Sequence, residues 1–166
     1  MRVGRAILVI AGLGLIASAC GSITGGNAGR RVVGIIEWSP AGQTASRAGT
    51  TGLDVPSRPE ALVVPDTVSA GTPFMATITT AGPNGCWRAS DVERVGGDME
   101  VTLTPYDIAP DPEAICPQAP VLLPRTLELR FDRAGVAVVR LEGRKVAAGE
   151  PRNDLFTTVE RRIVVR

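Results

Sequence analysis

Histidine is absent from the 166-residue sequence, and lysine and aromatic residues are rare. Without an imidazole, neither a Ser-His-Asp triad nor a Cys-His pair can form. A serine-lysine dyad would have to use Lys145, which stands in no recognisable catalytic motif. A four-ligand zinc site also lacks its usual donors. These absences predict a protein that is not an enzyme, and because no cofactor-binding motif is present, we expect no cofactor.

Excess charge of either sign is also lacking, with 18 basic and 17 acidic side chains. Phosphate binding needs a concentrated basic field, so no nucleic-acid partner is expected. Because aromatics make up only 4% of the residues and valine is plentiful, the core is predicted to be aliphatic and β-branched, which favours strands. No segment shows sustained helical periodicity.

The first twenty residues have the pattern of an export signal. Arg2 and Arg5 precede an apolar run, and small residues stand directly before Cys20. The apolar stretch is shorter than the roughly 20 residues that span a bilayer. The sequence Ala17-Ser18-Ala19-Cys20 resembles the lipobox of bacterial lipoproteins. This resemblance implies removal of residues 1–19 and diacylation of the Cys20 sulfur. The alternative is a plain secretory signal that leaves Cys20 an ordinary thiol.

Residues 20–30 are rich in glycine after Cys20 and predict a flexible tether. The lipoprotein resemblance implies that the membrane is a partner through the lipid on Cys20, and that the protein belongs to the cell envelope. Gly21 and Ser22 lack the aspartate associated with inner-membrane retention. The outer membrane is therefore expected if the organism has one.

Two cysteines remain, Cys86 and Cys116, in a chain predicted to be exported. In an oxidising compartment an even pair favours a disulfide. The bridge would close a loop of about 31 residues and stabilise the fold by roughly 3 to 4 kcal/mol in the chain-entropy model. Two buried free thiols are the alternative.

Strand-like alternation dominates the remainder of the chain. Residues 31–59 are predicted to form a short strand (31–38) and a linker loop. The turn 132–135 predicts a hairpin between its flanking strands. Arg161 interrupts the apolar side of the last strand and predicts a bulge or a sheet edge. Beyond residue 59 the predicted strands are 60–64, 74–80, 99–104, 126–131, 136–141 and 156–165.

Two stretches, Val64 to Phe74 and Phe131 to Leu141, resemble the early and late strands of bacterial immunoglobulin-like domains. This resemblance implies an all-β, antiparallel sandwich of about seven strands over residues 60–166, preceded by the cleaved signal peptide and the tether. Within it, the bridge is expected to pin a long loop to a strand.

Trp87, Arg88 and Arg94 form a candidate contact surface, because an aromatic flanked by arginines beside a disulfide has the composition of a binding hot spot. In the alternative, Trp87 packs over the bridge as part of the core.

Asp107, Asp111 and Glu113 are the acids of a proline-rich segment expected to be a loop. Such oxygen ligands make it a weak candidate for a calcium site. A pair of these carboxylates could also serve glycoside hydrolysis. Solvated loop charges are the simpler interpretation.

Together these features predict a lipid-anchored envelope protein that acts as a non-enzymatic binding or structural module. Its partner would be an envelope protein or a glycan. One alternative is a small envelope hydrolase, or a metal- or glycan-binding domain, that uses the 107–113 acids. Another is an accessory subunit of a larger envelope complex.

Overall fold

A computed structural model of the chain describes residues 29–39, 59–147 and 155–166. The predicted signal peptide, Cys20, most of the tether and most of the linker loop lie outside the described residues. Within them every helix or strand is a β-strand, which confirms the all-β prediction. In this part of the chain no helix is long and apolar enough to cross a membrane.

Ten strands form in the described residues. The predicted strand 31–38 is divided into two by Gly34, and the predicted strand 60–64 shrinks to two residues. In chain order the strands are β1 Arg30–Val33, β2 Ile35–Ser39, β3 Leu62–Val63, β4 Thr67–Val68, β5 Phe74–Gly82, β6 Arg88–Gly97, β7 Glu100–Ala109, β8 Val121–Leu129, β9 Gly135–Ala147 and β10 Leu155–Val165.

The strands belong to one mixed sheet that curls around the core. One layer contains β3, β5 and β8, and the other contains β6, β7, β9 and β10. Strands β1 and β2 lie between β7 and β9 where these diverge, and β2 also touches β5. Three pairings are parallel: β7 with β9, β2 with β9, and β4 with β10. The sheet is therefore not purely antiparallel. In particular, β7 of the β6–β7 hairpin lies next to β9 and runs in the same direction as β9.

The predicted hairpin across residues 132–135 does not form. Strand β8 pairs with β5 over nine positions, from Phe74↔Leu129 to Gly82↔Val121, whereas β9 pairs with β10. Both strands flanking the turn carry alternating apolar residues, and such a pattern specifies which side faces the core, not which strand is the neighbour. The chain crosses here from one layer to the other.

Aliphatic side chains from both layers fill the core. The largest fully buried ones are Leu62, Ile78, Leu103, Leu141 and Ile163. Phe74 and Phe131 close the core, with ring centroids 5.8 Å apart. The core therefore joins the two layers through residues far apart in the chain.

Arg161 lies at a sheet edge, which is one of the two predicted settings. Strand β10 pairs with β9 without a register break, and it pairs with β4 only at Val164 and Val165. Among the described residues, no strand therefore pairs with its outer side at Arg161, whose Nη2 lies 3.2 Å from Glu60 Oε2.

The strand directions give the domain two distinct ends. At the disulfide end, the described chain enters at Gly29, β5 and β7 finish, and the loops 83–87 and 110–120 lie. At the opposite end lie the turns 69–73, 98–99 and 130–134, and we call it the groove end because an open cavity lies there. Strand β7 runs from the groove end to the disulfide end, and its 10 residues separate the ends by roughly 30 Å.

Candidate functional site

The disulfide joins the two loops of the disulfide end. Cys86 and Cys116 have their sulfurs 2.20 Å apart and their Cα atoms 5.6 Å apart. The Gly85 amide also donates to the Pro117 carbonyl at 2.9 Å, and the Cys86 amide donates to the Asn84 side chain at 3.1 Å. The expected disulfide is thus present, but it pins a loop to a loop and not to a strand.

Trp87 packs against the last residue of β5. A Cβ added at Gly82 would lie 2.8 Å from Trp87 Cγ and 2.9 Å from Val121 Cγ2, so the indole lies directly on the bare backbone. The guanidinium carbon of Arg144 lies 5.9 Å from the centre of the ring, within cation–π range. Trp87 is half-buried. It is therefore mainly a packing residue with one accessible side.

Arg88 and Arg94 lie on β6, and they do not form one surface with Trp87. Arg88 pairs with Ile108 near the disulfide end, whereas Arg94 pairs with Leu103. Six residues of extended strand separate the two arginines by roughly 20 Å. The structure therefore divides the predicted contact surface, leaving Trp87 and Arg88 at the disulfide end and Arg94 at the groove end.

The three candidate acids are not together in one loop. Strand β7 continues through Pro105 to Ala109, so Asp107 belongs to a strand and is fully buried. Asp111 and Glu113 are exposed, and Asp111 Oδ1 accepts the Glu113 amide at 2.9 Å as part of a turn. Among residues 29–39, 59–147 and 155–166, no three acidic or cysteine side chains are grouped for metal binding. The expectation that Asp107 lies in the loop is wrong.

Asp107 instead anchors a buried polar cluster beneath the disulfide end. Its Oδ1 accepts a hydrogen bond from Thr80 Oγ1 at 3.0 Å and an ion-paired hydrogen bond from Arg125 Nη2. The side chain of Arg125 is only 10% exposed. Such charge-assisted bonds are stronger than neutral ones. The carboxylate is thus already engaged by the protein itself, which gives no support to its use as a catalytic acid.

Arg125 also closes the gap between the two layers. Its Nη1 donates to the Tyr106 carbonyl of β7 at 2.6 Å and more weakly to the Ser90 carbonyl of β6 at 3.5 Å. Strand β6 is irregular between Ala89 and Val92, where its register to β7 shifts. The guanidinium therefore joins β8 to the β6–β7 hairpin, and among the described residues β8 has no backbone pairing with either of these two strands.

Gly34 completes this cluster. A Cβ at this position would lie 2.6 Å from Thr80 Cγ2 and 2.9 Å from Asp107 Oδ2. In the described part of the chain, Asp107 Oδ2 has no hydrogen-bond partner. The backbone of Gly34 therefore covers the second carboxylate oxygen, and only glycine fits this crossing from β1 to β2.

The sequence reasoning did not identify Gly34, Thr80 or Arg125. A signal was available, because Thr80 and Arg125 occupy inward positions in the alternation of β5 and β8, and Asp107 does so in β7. A polar side chain at an inward position needs a buried partner. Three such residues on different strands indicate one shared cluster.

Arg31 fastens β1 to the outer face of the sheet. Its guanidinium donates to both carboxylate oxygens of Asp91, at 3.0 and 2.7 Å, and its carbon lies 3.3 Å from the Tyr106 ring centre. The Arg31 hydrogen bonds, followed by that of the Ser90 hydroxyl, hold the pKa of Asp91 well below its usual range. The same bonds to Asp91 raise the pKa of Arg31. A bidentate ion pair therefore holds β1, the strand nearest the predicted tether, against β6.

The groove end carries an open cavity of about 390 Å³. Leu129 and Phe131 form its apolar floor. Arg133 Nη1 lies 3.5 Å from Asp98 Oδ2, and this ion pair links the turn 130–134 to the turn 98–99. Arg94 makes no ion pair with any residue that the structure describes. The described residues that line it are Pro73, Arg94, Gly96, Gly97, Asp98, Val101, Glu128, Leu129, Arg130, Phe131 and Asp132.

Comparison with protein-family models, curated proteins and solved structures finds no match for this chain.

Proposed function

We propose that this chain is a bacterial envelope lipoprotein, anchored through acylated Cys20, whose β-domain is a non-enzymatic binding or structural module. The partner would be an envelope protein or a glycan. The anchor rests on the lipobox-like sequence before Cys20. The role of the domain is supported by the pairing of β1 and β2 inside the sheet and by the cavity at the groove end.

The single observation that carries the proposal is the attachment of the first described strands. Strands β1 and β2 pair with β7 and β9 in the interior of the sheet, and Arg31 adds its bonds to Asp91. Because β1 and β2 are held inside the sheet, a tether that leads into β1 attaches the whole domain to its membrane anchor. That is the arrangement expected of cargo displayed on a membrane.

An immunoglobulin-like architecture is part of the proposal. It is supported by the two facing layers and by the early chain, which pairs with β5 at Leu62–Val63 and with β10 at Thr67–Val68. The parallel neighbours β7 and β9 depart from the usual antiparallel arrangement. We therefore propose a variant of that sandwich with a rearranged hairpin in one layer.

The groove end is the proposed contact surface. Its cavity combines an apolar floor with charged residues of both signs, and Arg94 projects from its rim without an ion-pair partner in the described chain. Arginine is enriched among residues that dominate binding energy. Turn residues at the end of a rigid sheet can vary without disturbing the core.

The test is photo-crosslinking in intact envelopes, with a photoreactive residue replacing Arg94 in one variant and Arg88 in another. Both arginines are exposed on the same strand and lie at opposite ends. We expect one reproducible partner captured from position 94 and not from position 88. Random neighbours at both positions would refute the groove as contact surface. Mass spectrometry of the mature N-terminus tests the anchor, and an unmodified Cys20 would refute it.

A further inference from the structure

Large apolar side chains are exposed around the rim of the disulfide end. Ile115, in the loop held by the disulfide, is fully exposed at 101%, and Phe156, at the start of β10, is 72% exposed. Leu122 near the start of β8 and Leu155 at the start of β10 are about half exposed. Exposed apolar side chains also lie toward the groove end, at Met75, Val95 and Val136, but Ile115 and Phe156 are the two most exposed of the whole set.

The predicted anchor leads to this same end. The described chain begins at Gly29, next to Arg30, which pairs with Ala109 at the end of β7. Eight residues lie between Cys20 and Gly29, and the nine Cα-to-Cα steps that join them span at most roughly 30 Å. A flexible coil of nine residues has a root-mean-square span of only about 16 Å. The predicted tether therefore attaches at the disulfide end, so this is the end that it brings to the bilayer, whereas the groove end lies roughly 30 Å away along β7.

Among the described residues, charge at the disulfide end neither favours nor opposes contact with a membrane. Arg30 and Arg88 are exposed without ion pairs to other described residues, and Asp111 and Glu113 oppose them in the neighbouring loop. Membrane contact here would depend on apolar side chains entering the interfacial region. Tethering makes that contact an intramolecular event, so even a weak attraction is sufficient.

We infer that the disulfide end rests on the bilayer that holds Cys20, with Ile115 inserted into the lipid interface and Phe156 exposed at the same end of the domain. This inference rests on the proposed anchoring, and it adds an orientation: the disulfide fixes the inserting loop, and the groove faces away from the membrane.

The test places tryptophan at either end of the mature, acylated full-length protein in vesicles that contain brominated lipids. Ile115→Trp reports on the disulfide end, and Val136→Trp, another exposed apolar position, reports on the groove end. The wild-type protein supplies the background from Trp38 and Trp87. We expect quenching and a blue-shifted emission for Ile115→Trp and neither change for Val136→Trp. The result should be similar in zwitterionic vesicles and in vesicles with one third phosphatidylglycerol.

The possible outcomes separate this inference from the proposed function. Equal or absent quenching at the two positions, in protein whose Cys20 is acylated, overturns the orientation and leaves the anchor intact. A blue shift at position 115 that depends on protein density and not on brominated lipid indicates contact with a second copy, and it also overturns the inference. Protein whose Cys20 carries no lipid refutes the anchor, and the inference falls with it.

Discussion

The two ends of the domain are closed by different kinds of interaction. At the disulfide end, a covalent bridge joins two loops above a buried ion pair between Asp107 and Arg125. At the groove end, the Gly71 amide donates to the Phe131 carbonyl at 2.8 Å, and the ion pair between turns, Arg133–Asp98, has side chains that are 71% and 74% exposed. Exposed pairs contribute little to stability, whereas breaking a buried pair is costly. We therefore expect the end nearest the proposed anchor to be the more rigid one and the proposed contact surface to be the more adaptable one.

The largest expected effect comes from breaking the buried pair. Arg125→Met leaves the Asp107 carboxylate buried without its cation, and we expect the free energy of unfolding to fall by about 3 to 5 kcal/mol. Arg133→Met, the matched change at the groove end, should cost less than about 1 kcal/mol. Urea unfolding of both variants measures the difference.

A second variant shows whether the loss comes from the uncompensated charge. Asp107→Leu combined with Arg125→Met replaces the pair by apolar side chains and should recover much of the lost stability. If Arg125→Met and Arg133→Met prove equally mild, the claim that the two ends differ in rigidity is wrong.

Removing the covalent bridge should have the next largest effect. The double variant Cys86→Ser, Cys116→Ser lacks the bridge between two residues that are 30 positions apart in the chain. We expect its free energy of unfolding to be lower by about 2 to 4 kcal/mol. Treating the wild-type protein with a reductant should produce the same loss, and the double variant should not respond to it. Unchanged stability in the double variant would mean that the buried pair alone holds this end.

At the groove end, a backbone change should affect one turn only. Gly96 has a φ of 135°, and a Cβ there would lie 2.9 Å from Val101 Cα, so Gly96→Ala should cost about 1 to 3 kcal/mol. Gly97→Ala is the matched control, because a Cβ at Gly97 meets nothing within 4 Å. Thermal unfolding compares them, and crosslinking from position 94 reports the groove. Similar losses for both variants would contradict the special role of Gly96.

Several parts of this fold could be predicted from the sequence. Alternating apolar residues predicted most strands, because alternation states directly which side chains face a core. The even cysteine pair predicted the bridge. Arg161 predicted a bulge or an edge, since a cation on an apolar side needs access to solvent, and the edge is what the structure has.

Strand neighbours and buried polar clusters could not be predicted in the same way. Alternation in β8 and β9 is satisfied equally by a hairpin and by a crossing between layers, so the predicted hairpin was wrong. Asp107 was assigned to a loop because the surrounding prolines suggested one. Its partners, Thr80 and Arg125, are 27 and 18 residues away in the chain, and only the tertiary fold brings them together.

The smallest expected effect concerns the ion pair that fastens β1 at the disulfide end. Because Arg31 lowers the pKa of Asp91 in the folded protein, this carboxylate contributes stability above the ordinary aspartate pKa of about 3.9, and the contribution is lost as the pH falls below it. Asp91→Asn should remove that part of the acid sensitivity, so the difference in stability between the variant and the wild type should be largest near pH 6 and should shrink steadily as the pH falls below about 4. Hydrogen exchange at the amides of β1 should then be faster at pH 6, and exchange in the turn 98–99 should not change. If β1 exchanges at the wild-type rate in Asp91→Asn, backbone pairing alone holds the strand next to the tether, and the rigidity of this end comes from the bridge and the buried pair.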